Sequence, residues 1–560
     1  MHLRLEKIQS TLLPNSTLIS DSTLLDSYLQ GTEGLNHFTE KKRSLFAVAI
    51  ISDQAEVDSI LSMANQCAGD SELNFTIYPI STGNNWGYGT SQPTSVENNI
   101  LLLDLSHLNK ISEFDAELGL VTLEPGVTQQ QLSDYLISLG DEYMVPVTGA
   151  GPDCSILANA LERGYGITPY TEHFAAVSAI HGYWADGTAY QSAVYQLDQS
   201  ENKSVDRTFK WGLGPYMEGL FTQSSLGIVT KMTIRLAKKK AAFTSFFVQM
   251  QSDSQLEFAV PLIRKVLQNY EGTVGSINLM DKRRILSMFA ENPSNDIGTV
   301  NNHTVMSSSD VDDIAKQLQT PSWTIVGSIY GSTRVVKAVK KEINAIFKTI
   351  PSKRIFSDSL LITSANRVIN WLPDWFIKKS SALDILKQQL SSFNKGKEIM
   401  LGKPNKVALK LAYWRHPNAS KYSHESLSPA ADGCGLLWYA PLVTMKAEKM
   451  REFVTFVREV CPRHNIEPFI TFTNLKHDCI DSTIPIVFDL SNPDAVRDAH
   501  NCLKELVLKG LEKGFVPYRL NIDQQQWLLN KDDSFWQTAN KLKATLDPNN
   551  ILSVGRYNPS

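Results

Sequence analysis

Sixteen residues, YPISTGNNWGYGTSQP from Tyr78 to Pro93, carry three glycines (Gly83, Gly87 and Gly89) interleaved with Ser81, Thr82, Asn84 and Asn85. Glycine lets backbone N–H groups approach an anion, and hydroxyl and amide side chains add donors, so this is the composition of a phosphate cradle. The spacing is not the dinucleotide fingerprint, the P-loop lysine is missing, and Trp86 and Tyr88 sit inside the loop. Taken alone, the loop also reads as a Gly/Asn surface turn. A second pair with chemistry lies near the C-terminus, Tyr518-Arg519. A permanent cation beside a phenolic donor suits an oxyanion, and equally an ordinary strand pair with a surface arginine. Six cysteines (Cys67, Cys154, Cys434, Cys461, Cys479, Cys502) show no CxxC or metal spacing. Reduced thiols and no metal are expected, since His477 near Cys479 offers two ligands at most.

Elements must hold these residues in place. A chain of 560 residues is too long for one small core, so two large domains are expected. Hydrophobic content of 42%, charged content of 20% and a net charge of −4 describe a folded chain without a nucleic-acid footprint. The N-terminus lacks the apolar core of a signal peptide and no window approaches ~18 consecutive apolar residues. No membrane span and a cytoplasmic location are the corresponding expectations.

From about Ser44 short apolar runs alternate with amphipathic helices. SLFAVAIIS reads as a strand, QAEVDSILSMANQC as a helix, NILLLDLS and GLVTLEPGV as strands, and TQQQLSDYLISLG as a helix stopped by Gly140. AVSAIHGYWADGTAYQS reads as a hairpin turning at Asp186-Gly187, and SLGIVTKMTIRLAKK closes the first half. The pattern changes near Lys240. From 241 to 502 strands and helices alternate at larger spacing (TSFFVQMQ, PLIRKVLQNY, WTIVGSIYG, VALKLAYW, GLLWYAPLV, STIPIVFDL), which reads as a separate α+β domain, a sheet with helices on one face.

Six stretches occur in one order: STGNNWGYG, EPGVT (Glu124 to Thr128), SILANALERGYGITPYTEHF (Ser155 to Phe174), GPYMEGLFTQSSLGIVTK (Gly214 to Lys231), PYR (Pro517 to Arg519) and DPNNIL (Asp547 to Leu552). Together they resemble the flavoprotein family of vanillyl-alcohol oxidase and 4-cresol dehydrogenase, over roughly residues 45 to 240 and 400 to 555. The resemblance implies an α+β fold: a two-part FAD-binding domain of the p-cresol methylhydroxylase type, residues 1–240 with a C-terminal return at 503–560, and an inserted α+β cap, residues 241–502. It implies FAD with its pyrophosphate on Ser81, Thr82, Gly83, Asn84, Asn85 and Gly87. Ser155, Asn159, Glu162, Gly164, His173, Gly227, Ile228 and Val229 fall on further cofactor-binding motifs, with Glu162-Arg163 expected as a buried ion pair. Tyr88, Tyr518 and Arg519 match the trio with which family members hold the oxygen of a para-substituted phenol. Such a trio would favour the phenolate and let hydride leave the benzylic carbon toward flavin N5 through a quinone methide.

Two positions depart from the family. Its carboxylate near flavin N5 falls on Ala150, with Asp153 three residues on as a substitute base or as a turn former. The region expected to tether the flavin, DGCGLLWYAPL, has no histidine, so non-covalent FAD is expected, with Cys434 or Tyr439 as attachment points otherwise. The expected partner is a small aromatic substrate; oxygen, a cytochrome and a quinone are all compatible acceptors, and a homodimer is expected. The alternatives are a flavoenzyme acting on a hydroxy acid or sugar alcohol, and a non-catalytic flavin-fold partner protein.

Overall fold

A computed structural model describes residues 2–35, 42–94, 99–289, 292, 303–358, 381–423 and 426–559. In chain order the first half carries strands β1 (Thr17–Ile19), β2 (Ala47–Ile50), β3 (Thr76–Ile80), β4 (Ile100–Asp104), β5 (Ile111–Asp115), β6 (Leu120–Leu123), β7 (Tyr143–Met144), β8 (Val177–Trp184), β9 (Ala189–Tyr190), β10 (Gly227–Arg235) and β11 (Ala237–Lys238). Two sheets result, β1-β2-β4-β3 and β5-β6-β10-β8-β9, with β7 and β11 paired apart. In the first, β2, β4 and β3 run parallel. Their unbroken apolar runs, such as Ile100 to Leu103, are what a strand covered on both faces requires. The helix Ala55–Cys67 covers it with Val57, Ile60, Leu61 and Ala64. The second sheet is antiparallel, and its hairpin β8–β9 turns at Asp186-Gly187 as expected. The C-terminal stretch returns to the first sheet: Ile77 N–H donates to Ile551 O at 2.7 Å and Ser553 N–H to Ile77 O at 2.8 Å.

The second half is one large antiparallel sheet. Its strands are β12 (Ala242–Met250), β13 (Ile277–Asp281), β14 (Trp323–Gly331), β15 (Lys353–Phe356), β16 (Cys434–Tyr439), β17 (Pro441–Thr444), β18 (Thr471–Asn474), β19 (Cys479–Asp489) and β20 (Val516–Pro517). They pair in the order β15-β12-β14-β13-β18-β19-β17-β20, and β16 also pairs with β19. Helices Leu256–Asn269, Thr333–Phe347, Ala447–Arg463 and Pro493–Glu512 share one buried cluster with one face of this sheet.

Strand periodicity decides what the other face offers. Phe246, Val248, Ile277, Leu279, Ile325, Phe472 and Ile484 point to the helices. Their neighbours Ser245, Phe247, Gln249, Asn278, Met280, Thr324, Thr471, Thr473 and Thr483 line a cavity on the opposite side. The cap therefore roofs that cavity with a largely polar surface.

Two expectations need correction. The return to the first domain does not begin at 503: Leu503 is inside the helix Pro493–Glu512, whose apolar stripe packs on the cap sheet, and β20 pairs with β17 in that sheet. VALKLAYW is a 3-10 helix over Val407–Tyr413, because Leu409, Leu411, Ala412 and Tyr413 pack into a satellite core under the cap rather than onto a sheet edge.

Candidate flavin and substrate site

The loop after β3 is held in shape by its glycines: Gly83, Gly87 and Gly89 have φ of 71°, 77° and 66°, a region that L side chains rarely adopt. Trp86 Nε1 donates to Ala150 O at 2.7 Å and Asn84 Nδ2 to Asp153 O at 2.9 Å, tying the loop to residues 150–153. Ser81 to Trp86 line a cavity of about 890 Å³ whose walls include Ser155, Asn159, Glu162 and Gly227 to Val229. Among the described residues, the backbone N–H groups of Thr82, Gly83 and Asn84 donate to no protein acceptor. Free donors on a glycine turn suit a pyrophosphate, and the residues present fit FAD. Gly87 belongs elsewhere. Its N–H donates to Glu33 Oε1 at 2.7 Å and Thr32 Oγ1 at 3.0 Å, and a Cβ there would lie 2.4 Å from Trp438 Cδ1. Burial pushes the Glu33 carboxyl up to about 7.

Tyr88, Tyr518 and Arg519, expected to hold a phenol oxygen, lie near one another, and the topology explains how. Edge strand β20 ends at Pro517, so the two residues after it, Tyr518 and Arg519, are delivered to the rim of the cap sheet. Tyr518 N–H donates to Ala440 O at 3.2 Å, and Ile522 N–H to Tyr88 O at 2.9 Å, which draws the glycine loop to the same place. The Arg519 guanidinium lies 4.2 Å from the centroid of the Tyr88 ring, and Tyr518 is near enough to act on Tyr88 electrostatically. Tyr88, Tyr165 and Arg519 line the cavity, while Tyr518 stands behind with its ring 5.8 Å from that of Tyr165. Burial raises the pKa of Tyr88, Tyr165 and Tyr518, with Arg519 opposing at Tyr88. All three hydroxyls therefore keep their protons at neutral pH and can donate.

Glu162 does not pair with Arg163. Its carboxylate lies 3.2 Å from Arg519 Nε and also meets Arg556. Glu162 caps the helix Ile156–Leu161, and Arg163 beyond it takes φ of 55°, which turns its side chain toward Thr222 Oγ1 at 3.0 Å. Ser155 Oγ caps that helix and donates to Pro125 O at 2.6 Å. Gly164 is required by packing, since a Cβ would lie 2.0 Å from Asn159 Oδ1. His173 does not line the cavity; its Nδ1 meets Asn159 Nδ2 at 2.5 Å, and burial lowers its pKa to about 4. It is a neutral brace behind Asn159.

Asp153 is not brought to the cavity. Its side chain is 70% exposed, 3.8 Å from Lys406 Nζ, because the preceding Gly-Pro turn directs it outward. Cys434 and Tyr439 are buried but do not line the cavity, whereas Leu436 and Trp438 of the same strand do. His477 and Cys479 are exposed, and no metal-binding group of His, Cys, Asp and Glu occurs among the described residues. All six cysteines are free thiols, five of them buried. Among the described residues no helix is long and apolar enough to cross a membrane.

Two residues at this site escaped the sequence reading. Tyr165 lies in the quoted stretch SILANALERGYGITPYTEHF and is hydrogen-bonded to Thr473. Asp481 is felt electrostatically by Tyr88, Tyr165 and Tyr518, and burial raises its carboxyl to about 6. Its signal was period 2: Asp481 and Thr483 alternate with Ile480, Ser482 and Ile484 along β19, so the acid shares a face with the cavity-lining threonine.

A free-donor glycine turn under the cap fits a flavin-dependent oxidoreductase, and comparison with known proteins supports that class. Residues 46–191 match the family described as FAD binding domain. The chain is 29% identical over 512 residues to the 1'-carboxy-chondrochloren decarboxylase of Chondromyces crocatus, covering 91% of this chain and 90% of that one. It is 26% identical over 497 residues to the 4-cresol dehydrogenase [hydroxylating] flavoprotein subunit of Pseudomonas putida, covering 87% and 83%. The structure of p-cresol methylhydroxylase with substrate bound shares the fold at a TM-score of 0.82 and 21% identity, over 100% of this chain and 97% of that one. In sequence and fold the chain is similar to flavoproteins such as the 4-cresol dehydrogenase subunit and p-cresol methylhydroxylase, and residues 46–191 carry the FAD binding domain.

Proposed function

We propose that the protein oxidises a para-substituted phenol, held as its phenolate by Arg519 and the hydroxyls of Tyr88 and Tyr518. The observation that carries this is the meeting of Arg519 and Tyr88 on one rim of the cavity that also contains the glycine loop, with Tyr518 buried behind them. Arg519 supplies the positive charge, and Glu162, shared with Arg556, fixes the guanidinium plane. Tyr88 and Tyr518 add donors to an oxygen that gains charge as the ring is deprotonated. Bound FAD would accept hydride from the benzylic carbon; the chain's residues stabilise the phenolate, orient the ring and roof the site against water. The flavin is held without a covalent bond through Cys434 or Tyr439, neither of which faces the cavity.

The fate of the quinone methide follows from which acids reach the cavity. Among the described residues only one carboxylate, Glu162, lines it, and that group is engaged by two arginines. Asp153, the expected guide for water, faces outward. Water addition lacks a base, so the methide resolves by losing a proton or carboxyl group from the carbon next to the benzylic position. Loss of carbon dioxide returns its bonding electrons to the ring as phenolate and leaves an alkene, which balances the two-electron oxidation. The relative named as a decarboxylase favours this outcome.

Anaerobic mixing of the protein with 4-alkylphenols, their O-methyl ethers, 3-(4-hydroxyphenyl)propanoate and simple hydroxy acids tests the reading. Free phenols should bleach the flavin band near ~450 nm. Bleaching by O-methyl ethers as fast as by free phenols, or by hydroxy acids alone, would refute it.

A further inference from the structure

Away from the tyrosine rim the cavity contains a cation that makes no ion pair within 4 Å among the described residues, although the Asp281 carboxylate acts on it from further off. Arg284 lies in the first turn of the helix Lys282–Phe289, just beyond β13, and lines the cavity with Ile285, Ser287 and Met288. Its Nη1 donates to Ser287 Oγ at 3.1 Å. Its neighbour Arg283 pairs with Glu467 at 2.6 Å, but no carboxylate lies within 4 Å of the Arg284 guanidinium among the described residues. The group is buried, and desolvation lowers its pKa to about 10. An enclosed guanidinium facing empty space rather than a carboxylate is costly unless something anionic enters.

The roof beside it is equally unsatisfied. Ser245 Oγ, Asn278 Oδ1 and Thr324 Oγ1 are buried, hydrogen-bond to no protein atom, and belong to cavity-lining residues. Strand register places them together. Gln249, Thr324 and Met280 stand side by side across β12, β14 and β13, with Lys353 of β15 at the outer end. Met280 is four residues before Arg284. Asp481, at the tyrosine rim, is on β19, separated from β13 by β18. At about 4.8 Å per strand, Asp481 and Asn278, aligned through Thr473, are roughly 10 Å apart, and Arg284 follows Asn278 by six residues.

We propose that Arg284, with the polar roof of Gln249, Asn278 and Thr324, is a subsite for an oxyanion, a carboxylate or a comparable group, at the far end of an elongated phenolic substrate. This rests on the phenol reading, which anchors the opposite end at Arg519. A substrate with two anionic ends and an apolar middle explains why a largely apolar cavity has cations at both.

The test compares ω-(4-hydroxyphenyl)alkanoic acids, from three to eight carbons, with their methyl esters and with 4-alkylphenols of equal length. Flavin reduction and flavin difference spectra are the readouts. At one chain length the acid should exceed its ester in kcat/KM by on the order of ten- to a hundredfold, the size of a charge-assisted hydrogen bond. Arg284→Met should bring the acid-to-ester ratio toward one, and Arg284→Lys should keep part of it. Turnover of phenols and esters with no advantage to the acid at any length would overturn the subsite while leaving the phenol reading intact. A difference spectrum that acids elicit and esters do not, without turnover of any phenol, would support the subsite and sink the phenol reading. If Arg284→Met loses FAD and leaves the ratio unchanged, the arginine serves the cofactor and the proposal falls.

Discussion

The glycine loop and the tyrosine rim of the cavity are built in opposite ways. At the glycine loop the donors are backbone: Gly83, at positive φ, shapes a turn in which the N–H groups of Thr82, Gly83 and Asn84 are free, and all three residues lie within one short stretch. At the tyrosine rim recognition comes from side chains of four separate segments, Tyr88, Tyr165, Asp481 and Tyr518-Arg519, gathered by β19, β17 and β20. A backbone site tolerates changes in side chain but not in φ. A side-chain site has the reverse sensitivity, and each member depends on the charges of the others.

That contrast is broken most forcefully at Arg519. Arg519→Met removes the charge aimed at the phenolate, and a donor placed at developing charge is worth ~2.7–4 kcal/mol. Flavin reduction by a phenol should slow by on the order of a hundredfold or more, read by anaerobic stopped flow. Tyr88→Phe and Tyr518→Phe, which remove neutral donors, should cost less. Equal losses in all three variants would show that geometry rather than charge governs this end.

The opposite end is sharpened at Gly83. Space is available there, since the nearest atom to an added Cβ would be Ile80 Cδ1 at 3.9 Å, so a substitution tests conformation almost alone. Gly83→Val forces a β-branched residue to a φ near 71°, a strain of about 1–3 kcal/mol. FAD content should fall with an affinity loss of roughly ten- to a hundredfold, measured by flavin absorbance after gel filtration. Full flavin in a folded variant would remove the loop from the cofactor site.

Legibility in the sequence follows the same division. The glycine loop, the helix Ala55–Cys67 and the strands of the first half could be read directly, because local propensity and period specify them. Tyr88, Tyr518 and Arg519 could be placed only through resemblance, since no local pattern says that β20 ends beside the glycine loop. Asp481 was hidden two residues after the more conspicuous Cys479, and the pairing of β19 with β18 reveals which face it occupies. The boundary at 503 failed for a related reason: a helix belongs to the domain its apolar stripe covers, and Val496, Leu503 and Leu506 cover the cap. Arg284 could not be singled out at all, because adjacent Arg283 and Arg284 look alike in sequence and differ only in which has a carboxylate partner.

The smallest effect tests whether the tyrosine rim behaves as one electrostatic unit. Burial raises the Asp481 carboxyl from the ordinary 3.8 to about 6, with Glu172 adding to the shift. The folded state thus binds this proton more tightly than the unfolded chain does. The corresponding stability is fully present below about pH 3.8 and is lost as pH rises through about 6. Asp481→Asn cannot ionise, so its advantage over the wild type should be near zero at pH 4, grow between pH 4 and 6, and level off above. With the carboxyl partly open to solvent, the plateau should reach no more than about 1–2 kcal/mol. Thermal unfolding of both proteins across that range measures it. The same substitution removes a negative charge that raises the pKa of the three tyrosines, so phenol-driven flavin reduction should lose its dependence on a group titrating near pH 6. The glycine loop has no titratable side chain between Ser81 and Gly87, so Gly83→Val should leave that pH dependence in place. A stability difference that stays flat from pH 4 to 8 would place Asp481 outside the tyrosine unit, and the rim would then rest on Arg519 alone.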